Sequence, residues 1–286
     1  PKINFSLPSN IKSILTYSFF IFLAGSAASI LIDIDKFMIP QKEVISQTAF
    51  YAVAVFIATV VEIPGRAMFQ IINPLVAKAL NENDIKELSN LYSKSSINLL
   101  IVAGLFFLLI NINIDPFYEL MSNPSYGDAI WVVLMISLSK LILMSFGCGP
   151  AILATAKFYK ITLPFSILMA ISVYFLNDIL IDIYSINGAA LSTLLVVSIF
   201  TIVKIVYIKF KLNISPYSVH SLKVLLIICA IYFLFEFIEF SLSNILEILT
   251  NTLLIAAIYS FLIYKSKSSE AINSFINNLL KGKLRL

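Results

Sequence analysis

The sequence predicts an all-α integral membrane protein with about eight transmembrane helices, and three observations support this fold class. Of the 286 residues, 59% are hydrophobic and only 13% are charged, whereas soluble domains carry about 25% charged residues. The apolar residues form runs of about 20, the length that crosses a hydrocarbon core of roughly 30 Å. The runs lack the alternation of barrel strands, so helices are the structure that can satisfy the backbone in lipid.

The predicted spans follow one another with short connections. In chain order they cover residues 13–32, 49–77, 95–113, 129–152, 161–181, 188–208, 222–240 and 245–264. No connection exceeds about 20 residues, which leaves no room for a soluble domain between spans.

The positions of lysine and arginine predict the orientation of the spans, because cytoplasmic connections carry an excess of both. Sixteen of the 20 basic residues, Lys204 among them, fall in alternate connections and at the two ends, and only Lys36 and Lys42 fall on the other side. Both termini are therefore predicted to be cytoplasmic. The acids expected at the outer water interface include Asp33, Asp35, Asp178 and Asp182.

The segment after the last span, residues 265–286, has a different pattern. Its apolar residues fall at helical spacing and three basic residues follow them: Ile272, Phe275, Ile276, Leu279 and Leu280, then Lys281, Lys283 and Arg285. This pattern predicts a short amphipathic helix on the cytoplasmic membrane surface. The alternative is a polar tail without a helix.

Cofactor and metal chemistry is not expected. Cys148 and Cys229 lie inside apolar runs, which predicts small buried hydrophobic side chains. His220 is the single histidine and no C-x-x-C motif occurs, so a zinc or haem site would lack ligands. The net charge of +4 follows from the cytoplasmic connections and does not indicate a nucleic-acid partner.

Three charged residues lie deep in predicted spans: Glu62, Arg66 and Lys140. A charge at that depth costs several kcal/mol against lipid, so it usually faces a bundle interior or a wet cavity. In the second span the polar residues share one helical face about 80° wide. They are Thr59, Glu62, Arg66, Gln70 and Asn73. The sequence thus predicts a polar stripe that lines a water-accessible cavity or groove.

Pro64 and Gly65 separate Glu62 from Arg66 and predict a kink, and hence a hinge, between the two charges. Two interpretations of Arg66 stay open: it pairs with Glu62 at i,i+4 spacing, or it is free in the cavity. Lys140 has two interpretations as well, a cavity role or snorkelling to the interface. A second flexible point is predicted at "GCGPA", residues 147–151.

Two deep cations indicate an anionic substrate. Arginine suits phosphate because its donors form a planar fork, and lysine acts as a point charge. A cation exporter is expected to line its cavity with acids instead, and Glu62 is the single deep acid in the predicted spans.

Two stretches carry a resemblance to a known family. "IDIDKFMIPQKEVISQTAFYAVAVF", residues 32–56, has an aspartate and a basic residue, Asp35 and Lys36, followed by Met38 and Ile39 and then by Tyr51 and Ala54. "IPGRAMFQIINPLVAKAL", residues 63–80, precedes a charged connection. Both resemble polysaccharide-export flippases of the multidrug/oligosaccharidyl-lipid/polysaccharide exporter superfamily.

The resemblance implies two lobes with the substrate cavity between them, in a protein of about 12 to 14 helices, and the eight predicted spans fit part of a 14-helix member. Residues 1–211 look like its second, six-helix lobe, residues 212–264 like the extra helix pair, and 265–286 is the cytoplasmic tail. Because the chain starts at Pro1 and not at Met, we expect that an N-terminal lobe is missing here or that a partner lobe replaces it.

The resemblance further implies a transporter, not an enzyme, in the bacterial cytoplasmic membrane. Its substrate would be an undecaprenyl-pyrophosphate-linked oligosaccharide for surface polysaccharide such as lipopolysaccharide. The family's cationic cavity residue carries over to Arg66 alone, and the last two spans would offer a groove for the prenyl tail. The alternatives are a drug/cation antiporter of the same superfamily, a membrane glycan polymerase or transferase, and a non-transporting scaffold.

Overall fold

A computed structural model describes residues 11–121, 123–155, 158–238 and 243–280. Every regular element in these ranges is a helix. The helices are α1 (Ile11–Lys42), α2 (Ile45–Ala58), α3 (Ile63–Asn81), α4 (Ile85–Glu119), α5 (Ile130–Ser145), α6 (Gly149–Ala154), α7 (Tyr159–Leu212), α8 (Val219–Glu236), α9 (Asn244–Ser266) and α10 (Glu270–Leu280). Short 3₁₀ turns at Thr59–Glu62 and Pro124–Ala129 precede α3 and α5.

Six helical segments in the described part of the chain are long and apolar enough to cross a membrane. They are Ile45–Asn81, Ile85–Glu119, Ser125–Ser145, Tyr159–Leu212, Val219–Glu236 and Asn244–Ser266. This confirms an all-helical chain consistent with a multi-pass membrane protein, but it does not confirm a count of eight. The predicted spans 161–181 and 188–208 both lie in α7. The predicted span 13–32 lies in α1, where Ile11–Ser26 forms a shorter apolar helix.

Helix α7 folds back on itself at Ser185, whose φ of 53° and ψ of −136° are not helical. The two arms contact each other along their length, which makes them antiparallel. Ser192 Oγ donates to the Val173 carbonyl at 3.4 Å. Farther from the reversal, the rings of Phe165 and Tyr207 lie 6.0 Å apart.

The second predicted span is irregular close to the predicted kink, but at a slightly different place. A 3₁₀ turn occupies Thr59–Glu62 and α3 begins directly after it. The sequence predicted a kink between Glu62 and Arg66. The irregular turn instead ends at Glu62, before both Pro64 and Arg66. Pro64 falls in the first turn of α3, where its missing N–H costs no hydrogen bond. Gly65 is buried, and a Cβ there would lie 2.6 Å from Met144 Sδ, so Gly65 allows close packing of α3 against α5.

The predicted span 129–152 is interrupted at the second flexible point. Helix α5 ends at Ser145, and Gly147 has a left-handed φ of 59° before α6 starts. Helix α4 stabilises this break from the side. Ser96 Oγ donates to the Ser145 carbonyl at 2.6 Å, and the Cys148 amide donates to Ser95 Oγ at 2.9 Å. Both polar ends of the interruption are thus hydrogen-bonded inside the bundle.

Helix α4 packs against α3, α5, α8 and α9, so it joins the predicted extra pair to the rest of the bundle. Tyr259 Oη of α9 donates to the Ile101 carbonyl at 2.8 Å. A Cβ on Gly104 would lie 2.4 Å from Ile228 Cδ1 of α8 and 2.8 Å from Tyr259 Oη of α9, so any larger residue would force these side chains to shift. Cys229, the neighbour of Ile228, is exposed. The prediction that it is buried is wrong, because α8 packs on α4 through another face.

The outer end of α1, as predicted from the charges, is tied to the first arm of α7. Lys42 Nζ lies 2.8 Å from Asp178 Oδ1 and 2.9 Å from Asp182 Oδ2. Both aspartates are exposed. A second, buried contact joins the same helices through Asp35 of α1 and Asn177 and Thr193 of α7. We call the two contacts together the α1–α7 seam.

The chain after α9 forms the predicted helix, α10. Ser269 Oγ, just before it, donates to Asn98 Oδ1 of α4 at 2.6 Å, and Tyr264 Oη of α9 donates to Asn277 Oδ1 at 2.9 Å. These bonds place the start of α10 beside Asn98, well inside α4, and hold α10 against the end of α9. The predicted basic residues Lys281, Lys283 and Arg285 lie outside the described residues.

Candidate functional site

A cavity of about 250 Å³ with a largely apolar lining lies between α1, α2, α5 and the two arms of α7. Among its lining residues, the polar ones are Asp35, Tyr51, Thr59, Glu62, Ser139, Lys140, Thr193, Thr201 and Lys204. Two acids and two bases thus share one cavity between the helices. Ionisable groups in such a place are costly and usually functional.

Asp35 forms a buried cluster at one end of the cavity. The side chain is only 3% exposed. Its carboxylate accepts hydrogen bonds from Tyr51 Oη, from Asn177 Nδ2 at 2.6 Å and from Thr193 Oγ1 at 3.0 Å. Because Asn177 and Thr193 belong to different arms of α7, Asp35 joins α1 to both arms.

The prediction that Asp35 sits at the outer water interface is therefore wrong. The physical reason is helical phase: residues two apart on a helix point about 200° away from each other. Asp33 is exposed and pairs with Lys36 at 3.0 Å, while Asp35 points inward. The spacing of the two aspartates in "IDIDK" was a signal that only one of them could face water.

The Asp35 cluster has unused capacity for a ligand. No lysine or arginine nitrogen of the described residues lies within 4 Å of the Asp35 carboxylate. Asn177 Oδ1 is buried and lacks a donor. Asp35 therefore lines the cavity without an ion pair among the described residues. Across the described ranges, no cluster of three or more His, Cys, Asp or Glu side chains could hold a metal ion.

Glu62 is shared by the two cations that the sequence singled out. Its Oε2 lies 2.9 Å from Lys140 Nζ, and its Oε1 lies 3.4 Å from Arg66 Nη2. Lys140 is 19% exposed and Glu62 is 21% exposed, whereas Arg66 is 73% exposed. Lys140 thus faces the cavity and is paired there, while Arg66 is held by one long contact and keeps most of its donors free.

The predicted polar stripe is divided between two places. Thr59 and Glu62 line the cavity, whereas Arg66, Gln70 and Asn73 are exposed on the outer face of α3. Asn73 also lines a second groove of about 370 Å³ near α1 and α6, together with Tyr17, Asn81 and Thr155. Of the predicted binding residues, the structure brings Thr59, Glu62 and Lys140 together in the cavity and leaves the other three outside it.

Lys204 is the cavity cation that the charge pattern missed. The lysine distribution predicts a cytoplasmic connection for Lys204. In the structure it lies inside α7, because that helix continues to Leu212, and its side chain is half-buried. Its Nζ donates to Met169 Sδ on the opposite arm at 3.3 Å. A helical signal was available in the sequence. Thr193, Val197, Thr201 and Lys204 fall at i, i+4, i+8 and i+11, the spacing of one helix face.

The site therefore combines a buried acid cluster, a paired Glu62–Lys140 centre and a half-buried Lys204, all on helices that pack tightly together. This arrangement can hold a cation at one end and an anion at the other. Searches of protein-family models, of curated proteins and of solved structures found no match to this chain.

Proposed function

We propose that this chain is the cavity-forming part of a flippase that moves an undecaprenyl-pyrophosphate-linked oligosaccharide across a bacterial cytoplasmic membrane for surface polysaccharide synthesis. The observation that carries the proposal is the cavity itself, where Lys140 and Lys204 face the interior of an apolar helical bundle. Interior cations of this kind attract anionic groups, and they are too costly to keep without a use. The resemblance of residues 32–56 and 63–80 to polysaccharide-export flippases supports the same substrate class.

In this proposal the chain crosses the membrane eight times. The six long apolar segments supply six crossings, the fold-back of α7 at Ser185 adds one, and α1 adds another. Both ends of the segment then lie in the cytoplasm, as the lysine distribution predicts. A second lobe, from the same protein or from a partner, closes the exposed face of α3 that carries Arg66, Gln70 and Asn73.

The exposed guanidinium of Arg66 has the position expected of a residue that meets substrate between two lobes. It is 73% exposed, and its contact with Glu62 is long, at 3.4 Å. The test is an export assay in cells that carry the whole protein with Arg66→Ala or Arg66→Lys. We expect strong loss of surface polysaccharide with the alanine variant and partial activity with the lysine variant. Lys78→Ala, which changes an exposed lysine of the same helix, is the matched control. Full export by Arg66→Ala would contradict the role of Arg66.

A second candidate function is a proton- or cation-coupled drug antiporter, and the Asp35 cluster is the observation that favours it. A buried carboxylate with three donors and no basic partner in the described residues suits a proton or a monovalent cation. The same cluster is compatible with an ion-driven flippase. Asp35→Asn separates the two: loss of lipid-linked sugar export supports the flippase, and loss of cationic drug efflux with export intact supports the antiporter.

A further inference from the structure

We propose that Lys204 is the binding residue for the anionic group of the transported molecule, and that this group is a phosphate or pyrophosphate. The inference rests on the proposed function, since it assigns the end of the cavity that holds the charged part of the substrate. Neither the charge pattern of the sequence nor the resemblance points to this residue.

The first support is that the Lys204 ammonium has few hydrogen-bond acceptors among the described residues. An ammonium has three donors, yet the described contact of Nζ is to Met169 Sδ at 3.3 Å. A thioether sulfur is a weak acceptor. No carboxylate of the described residues lies within 4 Å of Lys204. A half-buried charge with so little compensation is stabilised when an anion enters the cavity.

The second support is that the other cations near the cavity are already engaged. Lys140 and Arg66 both contact Glu62, at 2.9 Å and 3.4 Å. A ligand anion at Lys140 has to compete with the Glu62 carboxylate for the same ammonium. At Lys204 it meets no competing carboxylate within the part of the chain that the structure describes. The first anion to enter therefore gains most at Lys204.

The surroundings of Lys204 favour a phosphoryl group. Thr201, one turn earlier on the same face, lines the cavity with Lys204. Ser139 and Thr59 line it too, but their hydroxyls already donate to the Ile136 and Phe56 carbonyls. A hydroxyl one turn from a lysine point charge matches the oxygens of phosphate. A volume of about 250 Å³ is below the roughly 300–1,000 Å³ of pockets that enclose drug-sized ligands. The cavity therefore fits the phosphoryl group and leaves the sugar outside.

The position of Lys204 along α7 keeps the anion away from the buried acid. Thr193, which binds Asp35, precedes Lys204 by eleven residues, which is about 16 Å along a helix axis. An anion at Lys204 is thus not repelled at close range by the Asp35 carboxylate. The two ends of the cavity can be occupied at the same time by groups of opposite charge.

The experiment measures anion binding by isothermal titration calorimetry, with the full chain purified in lipid nanodiscs. The probes are inorganic pyrophosphate, inorganic phosphate and, for comparison, acetate. We expect pyrophosphate to bind more tightly than acetate, and Lys204→Met to weaken pyrophosphate binding at least tenfold. Lys204→Arg keeps the charge and should retain most of the binding. Lys209→Met, which changes an exposed lysine on the same arm, is the matched control and should bind as the unchanged protein does.

Unchanged pyrophosphate binding in Lys204→Met would overturn the assignment, and so would equal losses in Lys204→Met and Lys209→Met. Farnesyl pyrophosphate as a competitor distinguishes the two possible sources of the phosphoryl group, a lipid headgroup and a free anion. Competition supports a lipid headgroup, and no competition, with pyrophosphate binding retained, supports free pyrophosphate at the same site.

The export assay separates this inference from the proposed function. Binding that depends on Lys204 in a protein that exports no lipid-linked sugar supports the anion site and contradicts the flippase. Export lost in Arg66→Ala, with binding unchanged in Lys204→Met, supports the flippase and contradicts the anion site.

Discussion

The Glu62 centre allows a quantitative prediction, because one carboxylate faces two cations in different surroundings. The perturbation is Glu62→Gln, combined in turn with Lys140→Met and with Arg66→Met. Lys140 lies 2.9 Å from Glu62, and both side chains are about one-fifth exposed. Arg66 lies 3.4 Å away and is 73% exposed. The two pairs share one acid and differ in distance and burial.

The expected coupling energies follow from that difference. Removing one partner of a buried ion pair costs about 3–5 kcal/mol, and the partial exposure of Glu62 and Lys140 lowers our expectation to about 2 kcal/mol of coupling. An exposed pair contributes about 0.2–1 kcal/mol, so we expect about 0.5 kcal/mol for Arg66. Lys140→Met should therefore be much less destabilising in the Glu62→Gln background than alone. Arg66→Met should cost nearly the same in both backgrounds.

The assay is reversible unfolding in mixed detergent micelles. Trp131, the single tryptophan, provides the fluorescence signal because it lies near the start of α5, the helix that carries Lys140. Two double-mutant cycles give the two coupling energies. A coupling for Arg66 equal to or larger than that for Lys140 would refute the reasoning. It would mean that the long, exposed contact, not the short one in the cavity, holds Glu62.

Three further predictions concern other parts of the bundle. In the proposed ion-driven transporter, Asp35→Asn preserves the size of the side chain but removes its charge, so transport driven by a proton or sodium gradient in vesicles should be lost; transport that still follows the gradient would contradict the coupling role. Gly147→Ala should destabilise the fold by about 1–3 kcal/mol, because φ is 59° and the added Cβ would lie 2.6 Å from the Ser96 amide nitrogen; neutral unfolding energetics would contradict this. Tyr259→Phe should cost about 1 kcal/mol through the lost bond to the Ile101 carbonyl, while Tyr264→Phe, whose hydroxyl bonds at an exposed site, should cost less in the same unfolding assay.

The sequence predicted those features that depend on local composition. The apolar runs indicated membrane-spanning helices, and charges deep in those runs identified Glu62 and Lys140, which the structure places together in a cavity. The irregular turn near Pro64 was also predictable to within a few residues, because proline and glycine act on the nearest backbone.

Features that depend on how helices pack together were not predictable from one sequence. Asp35 looked like an interface acid because burial depends on which face of α1 meets α7. Lys204 looked like a cytoplasmic lysine because its depth depends on how far α7 continues. The reversal between the predicted spans 161–181 and 188–208 does occur, at Ser185. Its tightness was not predictable, because neither a proline nor an adjacent glycine marks the one residue that leaves helical geometry.

The fold-back of α7 has a mechanical consequence for the α1–α7 seam. Ser185 is the one residue inside α7 that leaves helical geometry. No flexible loop separates the arms there, so we expect Asn177 on one arm and Thr193 on the other to move together. Asp35 accepts hydrogen bonds from both arms of α7, and Lys42 forms an ion pair with Asp178 on the first arm. We therefore expect α1 and α7 to separate cooperatively, because the Asp35 bonds to both arms and the Lys42 ion pairs must break together.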